Sequence, residues 1–557
     1  MPTSYANAAA METPEPPARE QFERMAAFLE SPEAMAMAHT EMEQWLVREG
    51  RELQRLLLQQ HCDLRAEAER RLSRVRGADG AQRQKARSRA RGLGSMFGWV
   101  TVWRLAYEAD GVPALHPLDA GLNPPPAHYS YGVRRLVAEQ AAKSSFDEVV
   151  VEVGRWTGAP VHKRQVEELA QAAAQDFETF YAQRTLDATA GGTQRVLVLT
   201  SDANGIVVRP EDLREATRRA AEQQQHKLQK RFTRGEKRNR KRMAQVAATY
   251  TIEPFVRDAE DVLREYRLVH EVTKRRPKPM QKRVWASVVQ DPIEVIEEAF
   301  CEAERIDPKH RLSWVALVDG NRDQLRLIQQ AARRHRVRVT VLLDVVHVLE
   351  YLWKAAYCFY AEASREAEAW VTTRLRLLLT GHDPSQVAAG IRRSATRQGL
   401  RRTERKAADK CAAYLKNNRR YLDYAKALRR GLPIATGVVE GACRYLVKDR
   451  MDRTGARWSL AGAEAVLRLR ALCSNGDFDE YWRFHLSQEH ERNHRARYAQ
   501  GTNPDPLCHG SPTVPSCGAS SSPTGPAALH ARHRPALTST PRPPPPAASL
   551  QLRAHAR

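Results

Sequence analysis

The sequence predicts an α/β fold, a mixed sheet split by an all-α insertion and preceded by a mainly helical region. Three observations lead there. Apolar runs of strand length end in carboxylates at Asp202, Asp319 and Asp344, with helix-patterned segments between the later two. Strand, acidic end, helix, strand is the pattern of an α/β layer whose carboxylates collect at one sheet edge, where ligands bind. Residues 345–430 keep helical periodicity, with breaks at 381–384 and near Gly399, and show no strand pattern. After them, residues 434–458, I-A-T-G-V-V-E-G-A-C-R-Y-L-V-K-D-R-M-D-R-T-G-A-R-W, return an acidic residue, Glu440, in a helix-patterned stretch.

Taken in order, residues 1–20 are Pro- and Ala-rich and are expected to be disordered. From 21 to about 90 the pattern is helical, with Met42, Trp45, Leu46, Leu53, Leu56 and Leu57 forming one apolar stripe suited to a core or a dimer seam. Residues 99–107 alternate like a strand, and Asp110-Gly111 supplies a hairpin turn into a return strand over 112–118. Ser145-Phe146-Asp147-Glu148 has capping-box spacing, and Thr157-Gly158 ends that helix. A second helix starts near Pro160 with Lys163, Arg164 and Gln165 in its first turn. A helix-turn-helix would present those residues to base edges; a generic helical hairpin fits equally well. These elements make up a mainly helical region over 21–190.

Residues 191–344 form the first part of the sheet domain. The stretch R-V-L-V-L-T-S-D-A-N-G-I-V-V-R reads as a strand, a turn at 203–205 and a partner strand, with Asp202 at the end of the first. Residues 230–242 then carry eight cations and one Glu, a run suited to tracking a phosphate backbone because it precedes another strand at 245–255. Helices are expected at 258–270 and 291–304, with a basic patch at 274–285 between them. Strands at 312–318 and 337–343 flank a helix at 322–335. The second part of the sheet domain, 431–490, carries Glu440 and runs on helically to about Phe484. From about residue 500 the composition turns to Pro, Ser, Thr and Ala, holding 12 of the 31 prolines; a tail over 500–557 of this kind is expected to be disordered.

Composition narrows the function. A chain of 557 residues with a formal charge of +23 has room for about three or four domains and calls for a polyanionic partner, nucleic acid first. A membrane-surface role fits less well, because the cations are spread over every segment instead of one amphipathic helix. No run of 18 apolar residues occurs, so a soluble, cytoplasmic protein without membrane contact is expected. The eight cysteines contain no C-x-x-C pair, which argues against a disulfide framework or a zinc ribbon.

Asp202, Asp319 and Glu440 form a candidate catalytic triad and metal-ligand set. Three carboxylates suit hard Mg²⁺ (or Mn²⁺), and two such ions about 3.5–4 Å apart can drive in-line displacement at phosphorus. In a helix, Glu440, Arg444 and Lys448 fall on one face. Arg444 and Lys448, together with Lys163, Arg164, Gln165, Lys237, Arg238, Arg240, Lys241, Arg242 and Arg457, are the candidate DNA contacts. Asp344, His347 and Trp458 are candidate supporting residues. Between the two strand-end aspartates, Asp319 is favoured as the second ligand: its Asp-Gly step lets the chain turn away, whereas an Asp opening a helix caps backbone or orients a histidine.

The segments L-T-S-D-A-N-G, A-L-V-D-G-N, L-D-V-V-H-V-L-E-Y-L-W-K-A-A and T-G-V-V-E-G-A-C-R-Y-L-V-K-D-R-M-D-R-T-G-A-R-W, with G-V-P-A-L-H-P-L-D-A-G-L-N and D-F-E-T-F-Y-A-Q-R, resemble the ISKra-type insertion-sequence transposases of bacteria over about residues 97–482. That resemblance implies the DDE class, with an RNase H-like core and Asp202, Asp319 and Glu440 as the metal-binding carboxylates. It also implies a D-x-x-H feature at Asp344 and His347, two Mg²⁺ per site, transposon-end and target DNA as partners, a homo-oligomer, and cytoplasmic work at the nucleoid. The first motif departs from the pattern: relatives commonly have Lys-Gly after the first Asp-Gly, where this chain has Asp202-Ala203-Asn204-Gly205. Two alternatives differ in class: an RNase H-like nuclease that hydrolyses without joining, and an inactive transposase-derived DNA-binding protein.

Overall fold

The computed structural model describes residues 16–184, 195–223, 240–266, 276–435, 437–453 and 456–507. Helix α1 (Pro17–Leu29) begins inside the stretch expected to be disordered, with a proline in its first turn. A short α2 (Pro32–Ala36) leads to the long α3 (His39–Glu67), and Phe28 of α1 stacks on Trp45 of α3 at 4.2 Å.

The helical expectation for 21–90 fails beyond Glu67. Two-residue strands β1 (Val75–Arg76) and β2 (Gln82–Arg83) pair with each other, and β3 (Lys85–Ser95) pairs along its whole length with β4 (Gly98–Ala109). Arginine is a good helix former, so composition favours helix here, but the alternation K-A-R-S-R-A-R and the cross-strand partners decide for strand. The hairpin at Asp110-Gly111 is present, with Gly111 at φ +76, but the return strand β5 (Val112–Leu115) stops before α4 (Pro117–Leu122). Helix α3 lies on β4, and the Gln59 side chain exchanges two bonds with the Thr101 backbone, at 2.9 and 2.7 Å.

Helices α5 (Tyr131–Lys143), α6 (Phe146–Thr157), α7 (Lys163–Ala173) and α8 (Phe177–Gln183) follow. The capping box of α6 forms as the spacing predicts: Ser145 Oγ accepts from Glu148 N and Glu148 bonds back to Ser145 N. Gly158 ends α6 in the left-handed region at φ +66. Val149, Val153, Val166 and Leu169 belong to one buried cluster with Leu197, Trp314 and Leu343, so these helices share the core of the main sheet.

That sheet contains β6 (Val196–Val207), β7 (Lys241–Ile252), β8 (Met280–Ser287), β9 (Ser313–Val318) and β10 (Val339–Leu343), in the order β10-β9-β6-β7-β8. β6, β7 and β8 form an antiparallel meander, while β9 and β10 run parallel to β6. The turn expected at 203–205 is absent. β6 runs through Asp202 and Gly205, and its partner is β7, with Asp202 opposite Val246. Asn-Gly favours a turn locally, but antiparallel pairing of β6 from Val196 to Val207 with Ile252 to Lys241 outweighs it. Strand β8 also overlaps the segment 274–285 expected only as a basic patch.

Between these strands lie α9 (Glu215–Glu222), α10 (Ala259–Tyr266), α11 (Pro292–Ile306) and α12 (Arg322–Arg334), the last two serving as the crossovers that make β9 and β10 parallel. The expected insertion is helical: α13 (Val345–Ala356), α14 (Arg365–Leu379), α15 (Pro384–Arg397), α16 (Lys406–Asn417) and α17 (Tyr424–Arg429). Gly381 and Gly399 interrupt it at φ +91 and +66. Helix α18 (Gly437–Ala442) continues as a π-helical turn, Cys443–Lys448, into α19 (Asp449–Met451). The helix expected to run on from Trp458 is two helices, α20 (Leu460–Asn475) and α21 (Phe478–Asn493), because Gly476 adopts φ +78 at the C-terminal cap of α20.

The tail joins the fold further than its composition suggests. Arg70 N donates to Pro506 O at 2.8 Å and Leu507 bridges Glu69, so residues 499–507 dress the end of α3. No helix among the described residues is long and apolar enough to cross a membrane.

Candidate functional site

The acidic residues read from the sequence come from four elements at one side of the sheet. Asp202 sits in β6 two residues past Thr200, the last position of β6 paired with β9. Its Oδ1 accepts from Ala203 N at 2.7 Å and its Oδ2 from the Cys443 thiol at 3.3 Å. The strand is clamped there by Gln324 of α12, whose Nε2 donates to Ser201 O (2.6 Å) and Oγ (2.9 Å). Burial and the adjoining Asp202 carboxylate push the Cys443 thiol well above its ordinary range, so it stays a protonated donor.

Asp319 follows β9 directly. Its Oδ1 accepts from Asn321 N (2.7 Å), Asn321 in turn caps α12, and Gly320 at φ +90 makes the turn. The insertion reaches back to this point: the Tyr414 hydroxyl donates to Asp319 O at 2.8 Å and the Tyr424 hydroxyl to Leu343 O at 3.0 Å. Asp319 lines a cavity of about 190 Å³ with His347, Glu350, Tyr351, Lys354 and Lys410. Tyr351 and Tyr414 stack at 4.0 Å behind it.

Asp344 is 2% exposed and caps α13, its Oδ1 accepting from Val346 N at 2.8 Å. The expectation that an aspartate opening a helix caps backbone is met here. Glu440 closes the group from α18. Burial first, then the Asp344 carboxylate, push its carboxyl up to about 7; Glu350 and Asp202 add to the rise and His347 opposes it. Glu440 therefore lies in the field of Asp344, Glu350 and Asp202 together, a concentration of negative charge that a divalent cation would relieve.

The face expected to join Glu440, Arg444 and Lys448 does not form, because the π turn starts at Cys443. Its i→i+5 bonding slips the side chains out of α-helical register. Glu440 is half-buried toward the carboxylates, while Arg444 and Lys448 are exposed and Arg444 lies 3.7 Å from Asp449. Trp458 is buried and structural: its backbone bonds to Val207 and Arg209, and its indole donates to Met451 O at 3.0 Å. Arg457 beside it is exposed.

The remaining expected DNA contacts divide into open and committed side chains. Lys163 and Arg164 are exposed on α7, paired with Asp147 (2.7 Å) and Glu168 (3.0 Å). Gln165 accepts from His162 N and from the Tyr129 hydroxyl through its Oε1, which closes the start of α7. Arg242, half-buried, donates to Val288 O (2.8 Å) and Asp212 O (3.2 Å). Arg240 and Lys241 lie at the start of β7, and Lys237 and Arg238 lie outside the described residues.

Residues absent from the sequence reading of the site are Gln324, Glu350, Lys354, Lys410, Tyr414 and Cys443. Glu350 and Lys354 could have been found, since they fall at i+3 and i+7 from His347 on one helix face. Lys410 and Tyr414 arrive from the insertion and carry no local signal.

Among the described residues, one group of potential ligands has all its donor atoms within 4.8 Å, and it is Asp176, His485 and Glu489, away from these carboxylates. It is already satisfied. Asp176 lies 2.7 Å from His485 Nδ1 and binds Arg492, while Glu489 accepts from Gln175 (2.8 Å), Tyr131 (3.1 Å) and Asn493 (3.1 Å). A buried network of ion pairs and hydrogen bonds of this kind braces α8 against α21. Asp202, Asp319 and Glu440 do not converge to that spacing, nor does a two-ion site demand it, since its outer ligands are spread across ions about 3.5–4 Å apart. Scans of the chain against protein-family models and against curated proteins find no match.

Proposed function

We propose that this protein is a DNA transposase of the DDE class, cutting insertion-sequence ends and joining them to target DNA. The observation that carries the reading is that Asp202 and Asp319 each lie two residues beyond Thr200 and Leu317, which pair across adjacent parallel strands, with Glu440 in the field of Asp202, on a chain of +23. Strand order supports it as well: an antiparallel meander extended by two parallel strands through helical crossovers is the layout expected of an RNase H-like core. Asp202, Asp319 and Glu440 offer hard oxygen donors and would hold one or two Mg²⁺ (or Mn²⁺) ions. Such ions, when bound, supply activation of a water or a 3′-hydroxyl and stabilise the leaving oxygen.

The chain's own residues do the positioning. Gln324 fixes β6 at Ser201, and the Cys443 thiol fixes one Asp202 oxygen, so that carboxylate is pre-oriented. Lys354 and Lys410, lining the cavity beside Asp319, offer charge to a scissile phosphate. The exposed Lys163, Arg164, Arg444, Lys448 and Arg457 supply backbone affinity that is independent of sequence.

Purified full-length protein incubated with its element's end DNA and Mg²⁺ tests the reading by sequencing of the junctions. Strand-joined products are expected, and Asp202→Asn or Glu440→Gln should abolish cleavage at least 100-fold while DNA affinity stays within about two-fold. Hydrolysis without joining would make the protein a nuclease. No metal-dependent nicking at all would leave a DNA-binding protein.

A further inference from the structure

A second cavity, of about 550 Å³, is lined by the end of β7 and the start of α18. Phe255, with the Arg257 guanidinium 5.2 Å from its ring centre, and Tyr445 supply aromatic walls, Tyr250 is buried beneath them, and Lys278, Lys282 and Arg276 stand on the lining. That volume lies within the range of small-molecule pockets. Its charge is uneven. Arg257 and Arg276 share one partner, Glu265, which takes Arg257 at 3.0 Å. Lys278 and Lys282 are exposed and have no ion pair among the described residues. Against these four cations the cavity sets Glu253 and, behind the arginines, Glu265.

The floor is held rigidly. Phe255 N donates to Gly431 O at 2.9 Å, and Gly431 sits at φ +68 where a Cβ would meet Phe255 N at 2.7 Å. Tyr445 packs along α18, its ring 3.4 Å from where a Cβ on Gly441 would lie. The register ties the cavity to the carboxylates: Tyr250 lies four residues along β7 from Val246, the partner of Asp202. At about 3.3 Å per residue that is about 13 Å, within about four nucleotides along a DNA strand.

We infer that this cavity takes up one unpaired nucleotide of the DNA strand being processed, its base against the aromatic walls and its phosphate on Lys278 and Lys282. Aromatic faces stack on any base, and neighbouring cations hold the adjoining backbone, which is the chemistry of single-strand binding. An extruded base beside a cut site needs a pocket of this kind to offset the loss of its stacking in the duplex. The inference rests on the reading of the Asp202, Asp319 and Glu440 group as a DNA-processing centre.

The test uses full-length protein and an oligothymidylate with one central 2-aminopurine, in EDTA, so that binding is read without cleavage. The probe should be quenched on binding, and Tyr445→Ala and Phe255→Ala should each weaken it about ten-fold, with Tyr445→Phe behaving as the parent. Replacing the 2-aminopurine by an abasic position in a fluorescein-labelled strand should weaken binding to the unaltered protein by a similar factor, a comparison that requires no variant to fold. Lys278→Gln with Lys282→Gln should flatten the log K against log[salt] slope by about 1.4. Equal affinity for abasic and base-bearing strands, or an unchanged quench in both alanine variants, would overturn the inference. If the parent quenches the probe as described but never nicks end DNA in Mg²⁺, the pocket stands and the transposase reading fails. If it joins ends but treats both strands alike, the reverse holds.

Discussion

Asp319 and Asp344 end neighbouring parallel strands, yet their carboxylates are used differently. Asp344 is buried and spends an oxygen on Val346 N, whereas Asp319 is half-exposed and lines the small cavity. Asp344 is nevertheless the charge that acts most on Glu440. Asp319→Asn is therefore expected to abolish Mg²⁺-dependent cleavage without changing thermal stability, while Asp344→Ala should lower stability by about 1 kcal/mol through loss of the cap. Cleavage that survives Asp319→Asn and dies in Asp344→Asn would reassign the middle ligand. Glu69 offers a pH test remote from the site. Burial pushes its carboxyl up to about 7, opposed by the bond from Leu105 N. A raised acid stays protonated in the folded chain while the unfolded chain ionises near 4.5. Stability is thus lost as pH rises from about 4.5 to about 7. Glu69→Gln should match the parent at pH about 4 and exceed it by about 1 kcal/mol at pH about 8, after discounting for partial solvation. Urea unfolding at the two pH values reads this directly, and equal stability at the higher one would show that Glu69 is solvated.

At the level of elements, the chain uses glycines with positive φ where one segment must pass close to another. Gly431 joins the insertion to α18 and lies against the backbone of Pro254 and Phe255, closer than any Cβ could approach. Gly431→Ala should cost about 1–3 kcal/mol in thermal unfolding, since both strain and a clash oppose it. A variant as stable as the parent would mean that the 253–258 segment yields freely. The π turn is the other device. It lets Cys443 meet Asp202 while Glu440 stays in the field of Asp344, on either side of the junction of α18 and the turn. The i, i+4 spacing in the sequence could not reveal it, because the choice between α and π bonding depends on what the side chains find on the sheet.

The described residues all belong to one compact unit, in which the helices of 131–184 share the core of the sheet. Affinity for DNA should then be a property of the entire basic surface. Replacing Lys237, Arg238, Arg240 and Lys241 by Gln should flatten the salt dependence of end-DNA binding by about 3–4 in log–log slope. An unchanged slope would mean that these four cations do not meet DNA. Sequence periodicity by itself determined the α/β class, the helical insertion, the strands ending near Asp319 and Asp344, and the cap of α6, because hydrophobic period and capping chemistry are local. It read β3 as helix and placed a turn inside β6, because strand pairing is non-local and overrides the preferences of Arg and Asn-Gly. Only the tertiary structure decided that Gln165 and Arg242 bond inward, that Lys410 and Tyr414 reach Asp319 from the insertion, and that Glu440 is held at a raised pKa. Each depends on which groups segments far apart in sequence bring within a few ångströms, and no window of sequence contains that distance.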